Sequence, residues 1–201
     1  MAKGLDLFKA CTAATVQCFQ QGGYRFVGRY YFNLTKTFKE KFTRDEALRI
    51  CAAGMQLVAV YENGSDHYSY FTAAKGASDA SGALKQAADL GQPEGSVIYF
   101  TVDYDAPEDE IDDNITTYFQ AVNDGIDGKY KIGVYGSGLT CTKMLDAELA
   151  EYAWLACSSG WRGSKTFTRW NIKQSVETKI CDLDCDPDQS IDGDFGAFVV
   201  A

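Results

Sequence analysis

The chain has 201 residues, of which 28 are acidic and 19 are basic, giving a formal net charge of −9. Because nucleic acids and anionic membrane surfaces are bound through clustered lysine and arginine, this charge disfavours both as partners. A content of 46% hydrophobic and 23% charged residues excludes a disordered or fibrous protein, and the apolar runs are too short for membrane insertion.

Short apolar strands alternate with amphipathic helices along most of the chain. Thr43 and Glu46 form a capping box at the start of one helix, and acidic residues occupy the first turn of another at residue 108. The predicted strands are residues 4–8, 24–32, 56–62, 97–105, 131–137 and 152–157. The predicted helices are residues 12–21, 43–53, 78–90, 108–126 and 140–150.

The alternation weakens after residue 158. Residues 172–175 and 181–186 are predicted as two further short strands, with no room for full helices between them. Residues 190–201 are predicted as a closing strand or as a tail packed on the preceding structure. Since no internal repeat or proline-rich linker interrupts the chain, residues 1–201 are expected to form a single domain.

This order of elements predicts an α/β fold with a mostly parallel sheet, either open and doubly wound or closed into a barrel. About eight strands are predicted, and polar residues follow at least four of them at their carboxyl ends. Barrel enzymes place their active sites at those ends. Both observations favour a (β/α)8 TIM-like barrel that is compact and irregular in its C-terminal quarter.

Acidic residues at the ends of predicted strands are the main candidates for catalysis: Asp6, Glu62, Asp103 and Asp105. Because side chains two residues apart on a strand face the same way, Asp103 and Asp105 are expected to share a face. Two close carboxyl groups have separated pKa values, as general acid–base catalysis requires. The alternative is that these acids cap helices or form ion pairs in loops.

Aromatic residues near the same strand ends are candidates for sugar binding, because flat apolar rings with a hydroxyl or indole group suit sugar rings. Core packing is the alternative for many of them. Arg29 interrupts an apolar strand, and we expect it either to reach into a polar site or to pair with an acid. The aromatic residues near these ends are Tyr30, Tyr31, Tyr61, Tyr104, Tyr135, Trp154 and Trp161, and of these Tyr31, Tyr61, Tyr135, Trp154 and Trp161 are the candidates for substrate binding.

Motifs for cofactors and metals are missing from the sequence. His67 is the only histidine, and neither a C-x-x-C pair nor a nucleotide-binding glycine motif is present, so no cofactor is expected. Asp184, Asp186 and Asp188 copy the first positions of a calcium loop, but the residues that follow exclude an EF-hand. They indicate either a looser calcium site or, with Asp186 preferred, a last-strand acid at the barrel mouth.

Several segments together resemble a known family. They are GLDLF, GGYRFVGRYYF, LVAVYE, LGQPEGSVIYFTVDYD, KIGVYGS and YAWLAC. They are similar to the glycoside hydrolase-like barrels called domain of unknown function 1906, which are related to the family 25 glycoside hydrolases, the Chalaropsis-type lysozymes. The resemblance covers residues 4–158 well and the tail loosely.

The resemblance implies a first-strand aspartate, a D-x-E pair on the fourth strand and an aspartate on the last strand. These fall on Asp6, on Asp103 with Asp105, and on Asp186, and Gln174 stands where the lysozymes carry a glutamine. Asp105 replaces the glutamate that acts as general acid in the family. Glu62, across the expected barrel mouth, is the alternative acid.

The expected function is that of a lysozyme or muramidase, a hydrolase of peptidoglycan or a related amino-sugar polymer. Glu62 or Asp105 would be the acid with the raised pKa, Asp103 would orient the N-acetyl group or stabilise the transition state, and Asp6 and Asp186 would tune them. A carbohydrate-binding barrel that has lost hydrolysis is the first alternative. A metal-dependent cytoplasmic enzyme is the second.

Cysteines and the N-terminus indicate the compartment. The chain has seven cysteines, an odd number, and the charged residues Lys3, Asp6 and Lys9 interrupt any apolar region of a signal peptide. Reduced thiols and synthesis in the cytoplasm are therefore expected. The protein would then reach a cell wall through lysis or a non-classical secretion system, and a producer using such a system would need an immunity protein as partner.

Overall fold

Eight strands close into a barrel in this computed structural model, which describes residues 1–32 and 40–201. The first seven, β1 to β7, follow one another in the sheet and run parallel. The last position is taken by β9 (Leu183–Ser190), which pairs antiparallel with both β7 and β1 and so closes the barrel. The seven parallel strands are β1 (Lys3–Asp6), β2 (Phe26–Tyr31), β3 (Gln56–Tyr61), β4 (Val97–Thr101), β5 (Lys131–Gly136), β6 (Tyr152–Leu155) and β7 (Ile172–Gln174).

The C-terminal part of the sheet departs from a regular (β/α)8 repeat. A short strand, β8 (Thr178–Ile180), pairs only with β9 (Leu183–Ser190) and forms a hairpin with it. A parallel crossover needs about a dozen residues or more, and residues 175–182 between β7 and β9 are too few for one. The chain therefore turns back, and its last barrel strand is antiparallel.

Helices pack outside the strands, and most begin at a hydroxyl residue that caps the first turn. The side chains of Thr12, Thr43, Thr72 and Ser137 accept hydrogen bonds from backbone N–H groups three residues further on. Because Thr72 caps it, the helix predicted over residues 78–90 begins at Ala73, five residues earlier than predicted. The helices are α1 (Ala13–Gln21), α2 (Arg44–Ala52), α3 (Ala73–Leu90), α4 (Glu108–Glu110), which continues through a π-helical turn (Ile111–Ile115) into α5 (Thr116–Ile126), and α6 (Gly138–Asp146).

After α6 the chain contains no further helix, since residues 147–201 are all described and form strands, turns and loops. Within the described residues, no helix has both the length and the apolar character required to cross a membrane.

The alternation of side chains along the strands divides the apolar residues into two layers. One layer fills the barrel and includes Phe26, Val58 and Tyr99. The other lies between the strands and the surrounding helices and includes Val27 and Leu57. Every residue of a barrel strand therefore faces either the barrel interior or the helices, and this parity decides which polar side chains can reach the mouth.

A disulfide joins Cys18 on α1 to Cys181 in the β8–β9 hairpin, across a sequence separation of 163 residues. The expectation of reduced thiols is wrong for this pair, and the other five cysteines are free. Neither the spacing nor the number of cysteines indicates the pairing, because only the closed barrel brings α1 beside the hairpin.

Reduction of this disulfide is expected to lower the free energy of unfolding by about 2–4 kcal/mol, because the bond closes a long loop and restricts the unfolded chain. Urea denaturation of the wild type with and without a reductant measures the effect. Cys18→Ser should match the reduced wild type, and Cys157→Ser, at a free cysteine, should match the oxidised one. Equal stability of the reduced and oxidised wild type would contradict the prediction.

Candidate active site at the barrel mouth

A pocket of about 200 Å³ lies at the carboxyl ends of the barrel strands. Its walls combine acidic, amide and aromatic side chains, a composition typical of sugar-binding clefts. The lining residues are Phe8, Tyr30, Val60, Glu62, Thr101, Asp103, Tyr135, Trp154, Cys157, Gln174 and Asp186.

The acidic residues of the pocket stand on opposite walls. Glu62 directly follows β3 and Asp103 lies two residues beyond β4, so both belong to neighbouring strands. Asp186 lies on β9, which is four positions away from β4 in the closed eight-strand order. A substrate in the pocket would therefore lie between Asp186 on one side and Glu62 and Asp103 on the other.

Asp6 lies beneath the pocket and reaches it through two lining residues. Its carboxylate is buried and accepts hydrogen bonds from the Tyr30 hydroxyl on one oxygen and from Gln174 Nε2, at 2.9 Å, on the other. Burial raises the pKa of Asp6 to about 6, and these two hydrogen bonds limit the rise. Asp6 is thus a positioning group for Tyr30 and Gln174.

A second buried acid, Asp188, lies beside Asp6. Its Oδ1 accepts a hydrogen bond from Trp154 Nε1 at 3.0 Å, and burial together with the Asp6 charge raises its pKa well above the usual range. The sequence pattern favours Asp186 on this strand and predicts no role for Asp188 at the barrel mouth. Alternation along the strand could have identified Asp188, because residues 186 and 188 project to the same face.

Asp186 is partly buried in the pocket wall, directly opposite Asp6 in the β1–β9 pairing. Directly opposed residues of antiparallel strands project to the same face. Burial, followed by the charges of Asp6 and Glu177, raises the pKa of Asp186 to about 7. Near neutral pH, Asp186 is therefore a carboxyl group that can both hold and release a proton.

Asp105 does not share the face of Asp103, contrary to the prediction. Strand β4 ends at Thr101, so the alternation no longer applies at residue 105. The Asp105 carboxylate accepts hydrogen bonds from the backbone N–H of Arg162 at 2.7 Å and from its Nη1 at 2.6 Å. Asp105 therefore connects two loops outside the pocket lining, in agreement with the alternative prediction that these acids form ion pairs in loops.

Arg29 lies outside the pocket and forms an ion pair instead. Its guanidinium is completely buried on the outer side of β2, with Nε 2.8 Å from Glu46 Oε1 and Nη1 2.7 Å from the Leu7 carbonyl oxygen. The placement of Arg29 among the substrate-binding residues is therefore corrected in favour of pairing with an acid.

Three aromatic candidates also lie outside the pocket lining. Tyr31 is buried among the helices and donates to Gln92 Oε1 at 2.8 Å. Tyr61 is buried in the same layer and stacks near Phe100, with ring centroids 5.6 Å apart. Trp161 lies in the loop after β6. Tyr31 and Tyr61 occupy outward positions of their strands, so core packing is their role.

The structure brings six of the predicted residues together in the pocket: Glu62, Asp103, Tyr135, Trp154, Gln174 and Asp186. Tyr135 and Gln174 are hydrogen-bonded to each other at 2.8 Å. Tyr30, which the sequence places among the aromatic residues near the acids, also lines the pocket. The sequence pattern indicates no site role for the other lining residues, which are Phe8, Val60, Thr101 and Cys157. Parity along β2, β3 and β4 would have placed Tyr30, Val60 and Thr101 inside the barrel.

No metal cluster of three or more histidine, cysteine or acidic side chains occurs among the described residues. Of the three aspartates with calcium-loop spacing, Asp184 forms an ion pair with Lys179 at 3.0 Å on the hairpin. Asp186 and Asp188 face the barrel interior, so the three do not converge on one point.

Substitution of Gly28 by alanine is expected to lower the free energy of unfolding by about 1–3 kcal/mol, because it overpacks the base of the site. A Cβ atom there would lie 2.8 Å from the Asp6 Cβ and 2.9 Å from Trp154 Cη2. Urea denaturation measures the change. Gly160→Ala is the control, since nothing lies within 4 Å of a Cβ at that position, and equal stability of both variants would contradict the prediction.

Comparison with known sequences gives a family match and two relatives. A family model described as "Rv2525c-like, glycoside hydrolase-like domain" matches residues 17–192. The protein YbfG of Bacillus subtilis (strain 168) is 32% identical over 195 residues, covering 89% of this chain and 27% of YbfG. FadG of the same strain is 30% identical over 165 residues, covering 79% and 29%. The chain thus spans less than a third of these relatives.

Comparison with solved structures shows the fold. The Tat-secreted protein Rv2525c of Mycobacterium tuberculosis has a TM-score of 0.85 and 19% identity, over 98% of both chains. A family 25 glycosyl hydrolase from Bacillus anthracis has a TM-score of 0.54 and 10% identity, over 96% and 90%. The autolysin LytC of Streptococcus pneumoniae, solved with a synthetic peptidoglycan ligand, has a TM-score of 0.60 and 13% identity, over 93% and 46%.

Proposed function

Because the chain belongs to the Rv2525c-like glycoside hydrolase-like family, we propose that it hydrolyses the glycosidic bonds of peptidoglycan or a related amino-sugar polymer. One observation carries the proposal. A pocket at the barrel mouth has carboxyl groups on opposite walls, with Glu62 and Asp103 on one side and Asp186 on the other. Glycoside hydrolysis needs such a pair flanking the bond, one to donate a proton and one to assist the attack on carbon.

The other residues of the pocket suit a sugar. Phe8 and Tyr135 offer partly exposed ring faces, and Gln174 and Tyr30 supply hydrogen-bonding groups held in place by Asp6. Asp103 would orient an N-acetyl group or stabilise positive charge on the sugar ring in the transition state. Tyr30, Gln174 and Asp6 together form a preorganised base under that ring.

Peptidoglycan is favoured as the polymer for two reasons. The fold is shared with LytC, which binds a synthetic peptidoglycan ligand, and with a family 25 glycosyl hydrolase. The Cys18–Cys181 disulfide is suited to an oxidising environment, and cell walls lie outside the reducing cytoplasm.

Digestion of purified peptidoglycan, followed by mass spectrometry of borohydride-reduced products, tests the proposal. New reducing ends are expected with the wild type and not with Asp103→Asn, and the reduced sugar identifies the bond cleaved. Lys85→Gln on the exposed outer face of α3 is the matched control and should digest like the wild type. Absence of products with the wild type would refute hydrolysis.

Binding without hydrolysis is the second candidate, and the position of Asp105 favours it. The residue that replaces the glutamate general acid of family 25 is held by Arg162 outside the pocket. A barrel that had lost its acid in this way could still bind the polymer. Co-sedimentation with peptidoglycan in the absence of products would support binding alone.

A further inference from the structure

We propose that Asp186 is the proton donor of this site and that a buried pair, Asp188 and Asp6, holds the proton on it. The proposal rests on the proposed glycoside hydrolysis and assigns its acid. In the related lysozymes the acid occupies the position of Asp105, which here lies outside the pocket lining. Asp186 lines the pocket and faces the walls formed by Glu62 and Asp103.

One oxygen of the buried Asp188 carboxyl group lacks a hydrogen-bond donor among the described residues. Its Oδ2 is buried and receives no hydrogen bond from a described donor group, and the Asp188 side chain lies within hydrogen-bonding range of the Asp6 side chain. Both Asp6 oxygens already accept hydrogen bonds, from Tyr30 and Gln174. A buried, charged carboxylate with one oxygen lacking a donor is unfavourable, and a proton on Asp188 resolves this because Asp188 then donates to Asp6. The pair therefore carries one negative charge, centred on Asp6.

The negative charge of the Asp6–Asp188 pair lies close to Asp186. Asp6 and Asp186 are directly opposed in the antiparallel β1–β9 pair, and opposed residues have Cβ atoms about 4.5–5.5 Å apart. A negative charge at that distance favours the protonated form of Asp186. Among the described residues, the titratable groups that face Asp186 are carboxyl, phenol and thiol groups, and none carries positive charge. Those beside Asp186 are Asp6, Asp188, Glu177, Tyr135, Cys157 and Cys185, and those across the pocket are Glu62 and Asp103.

With its proton held in this way, Asp186 acts as the general acid of the reaction. The carboxyl proton of Asp186 moves to the glycosidic oxygen as the bond from that oxygen to the anomeric carbon breaks, and the bonding electrons stay with the oxygen. Water supplies the hydroxyl group that the anomeric carbon gains, and its other proton passes to Glu62 or Asp103 on the opposite wall. Exchange with solvent restores both carboxyl groups, so only water is consumed.

Hydrolysis of peptidoglycan between about pH 4 and pH 9 tests the donor role. We expect the wild-type rate to fall as the pH rises through about 7, the pKa of Asp186, because the deprotonated group cannot donate. Asp186→Asn should lower the rate about 10²–10⁴-fold while binding to peptidoglycan persists. Asp6→Asn removes the nearby charge, so the fall should move to lower pH by about one unit or more.

Asp188→Asn tests the buried pair itself. Asparagine keeps the shape and donates an N–H to Asp6 in place of the carboxyl proton, while its oxygen still accepts from Trp154. We therefore expect its rate to fall at the same pH as that of the wild type, whereas the fall in Asp6→Asn moves to lower pH. A simple structural role for the buried acids would not produce different pH shifts in these two variants. Lys85→Gln, on the outer face of α3, is the control for the basal rate.

Carbon-13 NMR titration of the aspartate carboxyl groups gives a readout that does not depend on activity. We expect a resonance with a midpoint of about 7 that is lost in Asp186→Asn and moves to lower pH in Asp6→Asn. A midpoint near 4 for Asp186 would overturn the proposal. So would hydrolysis by Asp186→Asn within tenfold of the wild type, and the proposed function would then stand. If the wild type hydrolyses nothing, the proposed function and the donor role both fail.

Discussion

Replacement of Glu62 by glutamine is expected to reduce peptidoglycan hydrolysis about 10²–10⁴-fold, whereas Asp105→Asn should leave the rate within about threefold of the wild type. Glu62 lines the pocket on the wall opposite Asp186, where a carboxylate can assist the attacking water. An amide at that position keeps the shape and removes the charge. Asp105 lies outside the pocket lining and bonds to Arg162, so its charge does not contact a substrate there.

The comparison is informative because family resemblance alone predicts the opposite result. Resemblance places the acid at residue 105, and position in the fold places the reactive groups at residues 62, 103 and 186. The Asp105–Arg162 ion pair is partly exposed, and such pairs contribute about 0–1 kcal/mol, so Asp105→Asn should remain folded. Circular dichroism checks the fold of both variants. Loss of activity in Asp105→Asn with full activity in Glu62→Gln would reinstate the family assignment.

Strand parity explains which site residues the sequence predicted well. On β2, Tyr30 faces the barrel interior while its neighbours Arg29 and Tyr31 face the helices, as alternation requires. The same rule places Asp103 inward, two residues after Thr101. Beyond the end of β4, the Val102 backbone N–H still bonds to the Tyr135 carbonyl oxygen, so the alternation extends to Asp103. At Asp105 the loop sets the direction and the rule fails. Assigning each polar residue to an inward or outward position would have separated most pocket residues from core residues.

The sequence does not predict the pairings between distant parts of the chain. Nothing in the local pattern indicates that β9 runs antiparallel to β1, and this register is what brings Asp186 and Asp188 to Asp6. The disulfide between Cys18 and Cys181 depends on the same closure. Contacts between the two ends of the chain form only when the barrel closes. The acids of the last strand therefore acquire their raised pKa values from tertiary structure, which residue spacing does not reveal.

The buried Arg29–Glu46 ion pair lies outside the pocket, yet it holds a loop that forms part of the pocket wall. Its Nη1 binds the Leu7 carbonyl oxygen and its Nη2 the Glu40 carbonyl oxygen at 3.0 Å, so it ties the loop after β1 to the chain that leads into α2. Glu46 at the start of α2 accepts from Arg29 Nε and from the Cys11 backbone N–H, both at 2.8 Å. One guanidinium thus fixes the loop that carries Phe8 to the pocket.

Arg29→Met is expected to lower the free energy of unfolding by about 3–5 kcal/mol, because it leaves the Glu46 carboxylate buried without its partner. The double variant Arg29→Met/Glu46→Gln should recover much of this loss, since glutamine still accepts from Cys11 and carries no charge. Urea denaturation of the wild type, the single variant and the double variant measures these effects.

Comparison of the single and double variants separates a lost charge partner from lost packing. Only the single variant keeps a carboxylate at residue 46, buried and without its cationic partner. It should therefore be the less stable of the two variants. Equal stability would mean that Arg29 stabilises the loop through packing and its carbonyl contacts rather than through its charge.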